Sequence, residues 1–349
     1  MFITNTLYRE DLETAIHSVP AFHKLKGKSF LLTGATGLIA SFLVDLLLYA
    51  NDVYDMQTRI YALGRTQEGL SKRFSSCIGR ADLSFIEQDV REKITLDFPV
   101  DYVIHAAGNG YPAAFREDPV GTMTTAFIGT NNILEYVRAH HVQKVIYISS
   151  GEVYGRMDVE RPFRESDSGY VDCASVRACY PSAKRAAESL VISYVRQYGI
   201  DASIVRPGHT YGPNTSAGDN RANTQFMKAA VAEKEIILHS AGGQIRSYAY
   251  IADSISALLT VLIHGQSGEA YNIANRNSRG TISDFATLAA ECAGVKYSFE
   301  EPDQTEKEEL TPIKYAVLDA GKLEGLGWRG TYSLPVGIKR TYQILKEQS

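Results

Sequence analysis

Tyr180 and Lys184 stand four residues apart, so a helix containing both puts them on one face, within reach of a common ligand. An ammonium beside a phenol favours the phenolate and brings a tyrosine pKa down from about 10 toward working pH. Tyr180 is thus a candidate general acid/base. A plain solvated helix face would show the same spacing. Tyr342 and Lys346 repeat it near the C-terminus, and in a chain with 21 tyrosines one such pair carries little information. The surrounding elements must decide between the two readings.

Residues 28–33 read as a short buried strand, followed by Gly34, Thr36, Gly37, Leu38, Ile39 and Ala40, then an apolar helix to about Tyr49. Strand, glycine-rich turn and helix in succession form the dinucleotide-binding arrangement. Gly34 permits the tight turn, Gly37 lets the backbone approach a pyrophosphate, and Ala40 lets helix and strand pack closely. The helix N-terminus supplies free N–H groups and a positive dipole end to the phosphates.

The second strand, 59–63, ends in Gly64 and Arg65. An acid usually holds the ribose hydroxyls of NAD at this point; Arg65 suits a 2′-phosphate instead, which leans the choice between NAD and NADP toward NADP. The other reading is that Arg65 is a surface residue. A third strand, 83–90, ends at Asp89 and Val90, with Asp89 placed to meet an adenine. A fourth, 100–108, ends in the small residues Ala106, Ala107 and Gly108. A helix over about 119–140 leads to a fifth strand, 144–150. Strands alternating with helices predict an α/β doubly wound parallel sheet, with ligands at the carboxyl ends of its strands.

Ser150 and Glu152 begin at such an end, and Tyr180 opens a helix thirty residues later, with Pro181 suited to its first turn. A further strand, 202–207, ends at Pro207 and leads to His209 and Tyr211. Residues 214–223, including Arg221, are polar and turn-prone, as befits a substrate loop.

Together, the strand and glycine turn, the serine at a strand end and Tyr180-x-x-x-Lys184 resemble the extended short-chain dehydrogenase/reductases, the NAD-dependent epimerase/dehydratase family. The resemblance covers about 28–345. Within it, Arg177 to Arg185, Arg206 with Tyr211 to Pro213, Arg246 with Tyr250, and Ser150 to Gly155 look most like UDP-glucuronate decarboxylases. The resemblance implies a Rossmann sheet with a smaller C-terminal substrate-binding domain. The first would span 28–205, rejoined by about 246–275, and the second 206–245 and 276–349.

It further implies a tightly bound NAD or NADP that is recycled, and an NDP-sugar substrate. Tyr180 takes the sugar 4-hydroxyl proton while hydride leaves C4. Lys184 tunes Tyr180 and holds the nicotinamide ribose, and Ser150 bonds the 4-oxygen. The 4-ketone makes the C6 carboxylate a β-keto acid that sheds carbon dioxide, with Glu152 assisting. Arg246, His209 and Arg221 bind substrate, and Pro207 lines the cofactor. A 4-epimerase needs only Ser150, Tyr180 and Lys184 and is the alternative; a 4,6-dehydratase or reductase is the lesser one. Each residue also has a plain reading: Ser150 as a small strand-end residue, Glu152 on solvent, Arg246 in a surface salt bridge, His209 in the core. Gly151 stands where dehydratases carry an acid, which weakens dehydration, and His209 stands where relatives usually have asparagine. A homodimer through helices near 119–140 and 181–198 is also implied.

At 349 residues, 44% hydrophobic and 22% charged, the chain has the composition of a soluble globular protein of one large or two intimate domains. A net charge of −4 and a pI near 6.1 argue against nucleic-acid or membrane-surface binding. Cys77, Cys173, Cys179 and Cys292 show no pairing or ligand spacing, so reduced thiols, no metal and a cytoplasmic setting are expected. Residues 1–27 read as an amphipathic helical extension interrupted by Pro20. The charged stretch 300–309 reads as solvated surface.

Overall fold

The computed structural model describes residues 2–216, 218–301 and 313–348. Helix α1 (Thr6–His17) precedes β1 (Ser29–Thr33), α2 (Leu38–Tyr54), β2 (Arg59–Gly64), α3 (Gln67–Arg73), β3 (Leu83–Glu87) and β4 (Tyr102–His105). Then come α4 (Pro112–Glu117), α5 (Pro119–Ala139), β5 (Lys144–Ile148), α6 (Cys179–Tyr198) and β6 (Ala202–Pro207). The second half of the chain holds β7 (His209–Tyr211), α7 (Ala222–Val231), β8 (Ile236–Leu238), β9 (Ile245–Tyr250), α8 (Ile251–His264) and β10 (Ala270–Ile273). The last elements are β11 (Arg279–Thr281), α9 (Ile282–Ala293), β12 (Tyr297–Phe299), β13 (Tyr315–Ala316), α10 (Gly321–Glu324) and α11 (Leu334–Lys346).

Seven strands form one parallel sheet in the order β10-β6-β5-β4-β1-β2-β3, in register from Ser29 opposite Arg59 to Ala270 opposite Ile204. The order reverses between β1 and β4, which opens a crevice at their carboxyl ends. Parallel strands covered on both faces read as near-continuous apolar runs, and Phe30, Leu31 and Leu32 are fully buried. The expected α/β doubly wound sheet is present.

Helix α2 is buried nearly all round because α8, which also packs on β5, β6 and β10, lies beside it and α1 packs against both helices. The N-terminal extension is thereby part of the principal core: Tyr8, Leu12 and Ala15 of α1 are buried, and Asn5 caps the helix by accepting the Tyr8 N–H. Asp11 is wholly buried, accepting the Tyr250 hydroxyl at 2.5 Å and Arg340 Nε at 2.6 Å. One acid therefore ties α1 to β9 and α11.

A second sheet gathers β7, β11 and β13 around β9. Its strands come from both sides of α8, so it returns the late chain to the crevice. Of the charged stretch, only Glu300 and Glu301 are described; 302–309 lie outside the described residues. Lys346 bonds Glu233 at 2.5 Å, which places the second Tyr-x-x-x-Lys on a helix face beside α7. The four cysteines are free. Among the described residues no helix is long and apolar enough to cross a membrane, and no His, Cys, Asp and Glu cluster is arranged to hold a metal.

Candidate active site

A cavity of about 270 Å³ lies in the crevice between β1 and β4. One end is built by the turn after β1. Gly34 has φ +64°, and a Cβ there would stand 2.8 Å from the Ala107 Cα. Only glycine lets the turn pass the end of β4 so closely. Gly37 is the N-cap of α2 and makes no side-chain cap bond, so the first N–H groups of α2 open toward the cavity beside Leu38 and Ile39. A cradle without side chains at a helix N-terminus fits a dinucleotide pyrophosphate.

Residues singled out from sequence line this cavity together: Gly34, Gly37, Leu38, Ile39, Ala40, Ala106, Gly108, Ser150, Glu152, Tyr180, Lys184, Pro207, His209, Arg221 and Arg246. Thr36, Arg65, Asp89, Val90 and Ala107 do not line it. Thr36 is in the same turn, and the others follow β2, β3 and β4. Arg65 is exposed, and Asp89 is engaged by the Arg91 side chain at 2.7 Å. Val90 packs beneath Gly129 of α5, where a Cβ would meet it at 2.7 Å. Ala107 donates its N–H to Thr33 Oγ1 at 3.1 Å, which holds the end of β4 to β1.

At the far end, β5 delivers Ser150 and the short turn after it delivers Glu152, whose N–H donates to Ser150 Oγ at 3.1 Å. Helix α6 presents Tyr180 and Lys184 one turn apart. Lys184 Nζ donates to the Ile148 carbonyl at 2.8 Å and sits 5.9 Å from the Tyr180 ring centre. The expected lowering of the Tyr180 pKa by Lys184 does not appear. Burial first, and then the Glu152 charge, push the phenol up to about 12, while a Ser150 hydrogen bond, Arg221 and Arg177 pull the other way. Desolvation of an anion outweighs these partners. Burial likewise brings the Lys184 ammonium down to about 8, against the pull of Glu188.

Arg246, on β9, is 1% exposed and donates to the Ile245, Ile313 and Lys314 carbonyls. No carboxylate among the described residues lies within ion-pair reach of it, and its burial is not that of a surface residue. Burial therefore lowers its pKa, opposed by Tyr248 and Glu152. Arg221 is held by Asp219 at 2.5 Å and also donates to the Thr210 carbonyl. Burial brings His209 down to about 3, with Arg246 and Arg221 acting in the same sense. The imidazole is neutral beside two guanidiniums, so this wall carries positive charge without a mobile proton.

Sequence reasoning passed over Asn109, Gly110 and Tyr111, which line the cavity after β4, and Ser149 beside Ser150. The Ser149 hydroxyl is buried and has no protein partner among the described residues. The Gly108–Gly110 pair in a polar run after a buried strand was the signal for that loop; nothing in the sequence separated Ser149 from Ser150.

Several known proteins similar to this chain are nucleotide-sugar enzymes by name. UDP-glucuronic acid decarboxylase 5 of Arabidopsis thaliana is 28% identical over 341 residues, covering 94% of this chain and 94% of that protein. The fold matches DesIV, a dTDP-glucose 4,6-dehydratase of Streptomyces venezuelae, at a TM-score of 0.79 and 23% identity over 91% of this chain and 97% of that one. UDP-glucuronic acid 4-epimerase of Bacillus cereus, solved with UDP-glucuronic acid and NAD, matches at 0.76 and 22% over 92% of this chain and 100% of that one. The model of the NAD dependent epimerase/dehydratase family matches residues 30–274, more than half of the chain, and the protein belongs to that family.

Proposed function

We propose that the protein oxidises the C4 hydroxyl of an NDP-sugar to a 4-ketone and that its substrate is a UDP-uronate, which it decarboxylates. The observation that carries this reading is Arg246: a buried guanidinium with no carboxylate in ion-pair reach among the described residues, on the wall of the cavity that holds Tyr180 and Ser150. A buried cation without a counter-ion is costly, and a bound anion removes that cost. Glu152 is close enough to act on Arg246 electrostatically. The cation therefore serves the end of the cavity where the sugar reacts, which suits a uronate carboxylate and bidentate recognition.

The bound cofactor supplies hydride acceptance at C4, hydride return afterwards, and a positive ring charge that favours the Tyr180 phenolate. Tyr180 accepts the 4-hydroxyl proton and Ser150 holds the 4-oxygen. Lys184 holds the nicotinamide ribose. With the ketone formed, the C5–C6 bond breaks, its electron pair passes to the enolate, and carbon dioxide leaves. A proton then returns to C5. Glu152, ion-paired to Arg177 at 2.8 Å, is engaged with a cation rather than placed to protonate a leaving hydroxyl. That favours decarboxylation over 4,6-dehydration.

Gly64 and Arg65, where an acid would hold the NAD ribose, support acceptance of NADP. The exposed apolar side chains Val120, Met123, Phe127 and Ile128 of α5 support a homodimer through α5 and α6, which sedimentation of the purified protein would read as twice the chain mass. Free cysteines suit a cytoplasmic setting.

Mass spectrometry of the purified protein incubated with UDP-glucuronate and either cofactor tests the reading. Loss of carbon dioxide to give UDP-pentose is expected. An unchanged mass with altered chromatographic mobility would make it a 4-epimerase, and loss of water a dehydratase. Cofactor released on denaturation decides NAD against NADP.

A further inference from the structure

Two side chains outside the cavity are packed against two that line it. Arg177, in the turn Val176–Ala178 before α6, donates from its guanidinium to Glu152 Oε1 at 2.8 Å. The same guanidinium lies over the Phe115 ring at 4.8 Å from its centre. Phe115, on α4, stacks in turn on Tyr180, with ring centres 4.6 Å apart and planes 21° from parallel. The result is a column of cation, ring and phenol. Its middle layer is fastened at the backbone, because Cys179 Sγ, next to Tyr180 in the chain, donates to the Phe115 carbonyl at 3.8 Å. Phe115, Cys179 and Tyr180 make a small buried cluster of their own.

We propose that Arg177 and Phe115 are positioning residues that set the Glu152 carboxylate and the Tyr180 ring as one unit, an inference that rests on the reaction proposed above. The planar guanidinium does two things a point charge cannot: it holds Glu152 by a directed N–H while its face rests on an aromatic ring. The pair with Glu152 uses Oε1 and leaves Oε2 without a protein partner among the described residues. Stacking restricts the Tyr180 ring, and a general base works only within hydrogen-bond reach of its proton. Arg177 Nε is buried without a partner, a cost that the ion pair and ring contact offset.

Electrostatics act along the same column. Tyr180 faces Tyr147, Ser150 and Glu152 from β5 and the turn after it, Lys184 on its own helix, Arg177 from the preceding turn and Arg221 from the loop before α7. Glu152 raises the Tyr180 pKa and Arg177 lowers it. Removing the arginine takes away one of the groups that oppose this anion, so the phenol should ionise at higher pH.

The test compares cofactor-loaded wild type with Arg177→Met, Arg177→Lys, Phe115→Leu, Glu152→Gln and the Arg177→Met/Glu152→Gln double variant, using the NDP-sugar that the mass-spectrometric screen shows converted. Arg177→Met should lower kcat by about 30- to 100-fold and move KM by less than about threefold, as misplacement of a reacting group does. The acid limb of its kcat/KM profile should move to higher pH. Arg177→Lys should return that limb toward wild type while recovering only part of kcat. Phe115→Leu should lower kcat without moving the limb. The double variant should be no slower than its slower parent, since the two residues act as a unit.

Wild-type kcat in both Arg177→Met and Phe115→Leu would overturn the inference. So would losses that multiply in the double variant, or a loss confined to KM. A second readout needs no turnover: ring-carbon NMR of Tyr180, assigned with Tyr180→Phe, should show ionisation at higher pH in Arg177→Met than in wild type, and an unmoved titration counts against the column. A wild type that leaves UDP-glucuronate untouched but converts another NDP-sugar sinks the uronate reading alone, because the column acts on C4 oxidation of any of them. Circular dichroism checks each variant's fold; if Arg177→Met does not fold, Arg177→Lys and Phe115→Leu carry the comparison.

Discussion

Tyr180→Phe should lower kcat on the converted NDP-sugar by about a thousandfold, because it deletes the group that accepts the 4-hydroxyl proton. The side chain is only 9% exposed and stacked on Phe115, and phenylalanine keeps that volume and contact. Melting temperature and the cofactor released on denaturation should therefore match wild type. The residual rate should also lose the rise with pH that phenol ionisation imposes. Burial pushes the Tyr180 phenol up to about 12 in the protein alone, so the wild-type rate should climb with pH as the phenolate population grows. A variant that retains a tenth or more of wild-type kcat would mean that another group moves the proton, and Tyr180 would revert to a packed core tyrosine.

The second large effect is on stability and lies far from the cavity. Asp11→Ala should cost about 3–5 kcal/mol, the usual result of removing one partner from a buried ion pair. The substitution leaves Arg340, otherwise paired at 2.6 Å, with Glu10 at 3.1 Å as its one counter-ion among the described residues and strands the Tyr250 hydroxyl in the core. Urea unfolding should show a lower midpoint with an unchanged slope, since the surface exposed on unfolding is the same. If the midpoint moves by less than the equivalent of about 1 kcal/mol, α1 is a covering element rather than part of the fold's cooperative core. A wild-type kcat at temperatures where Asp11→Ala is still folded would separate this structural role from the chemistry.

Much of the site was legible because its signals are local. The turn after β1 is written in Gly34, Gly37 and the apolar helix behind them, since a phosphate cradle needs adjacent backbone without side chains. Tyr180 and Lys184 share a face because a helix repeats every 3.6 residues. Ser150 was identifiable as the residue ending a buried strand. The parallel sheet follows from apolar runs alternating with helices, which have no other way to bury both faces.

What the chain order alone did not carry is everything that depends on residues distant in sequence meeting in space. The Tyr180 pKa was read from its neighbour Lys184, but burial by the assembled fold governs it, and desolvation has no signature in spacing. The resemblance singled out Arg246 as a substrate-binding residue, but only β9 shows it buried in the cavity wall with no carboxylate in ion-pair reach among the described residues. Arg177 and Phe115 are 62 positions apart and meet only because α4 packs beside the start of α6. The N-terminal helix read as an extension because amphipathic spacing shows that a face is buried but not against what; only the tertiary structure joins Asp11 to Arg340 across the length of the chain. Sequence determined the types and local spacing of the reacting groups. Tertiary structure decided which of them are dry, which are paired, and which therefore act together, because burial and charge pairing are properties of the assembled chain.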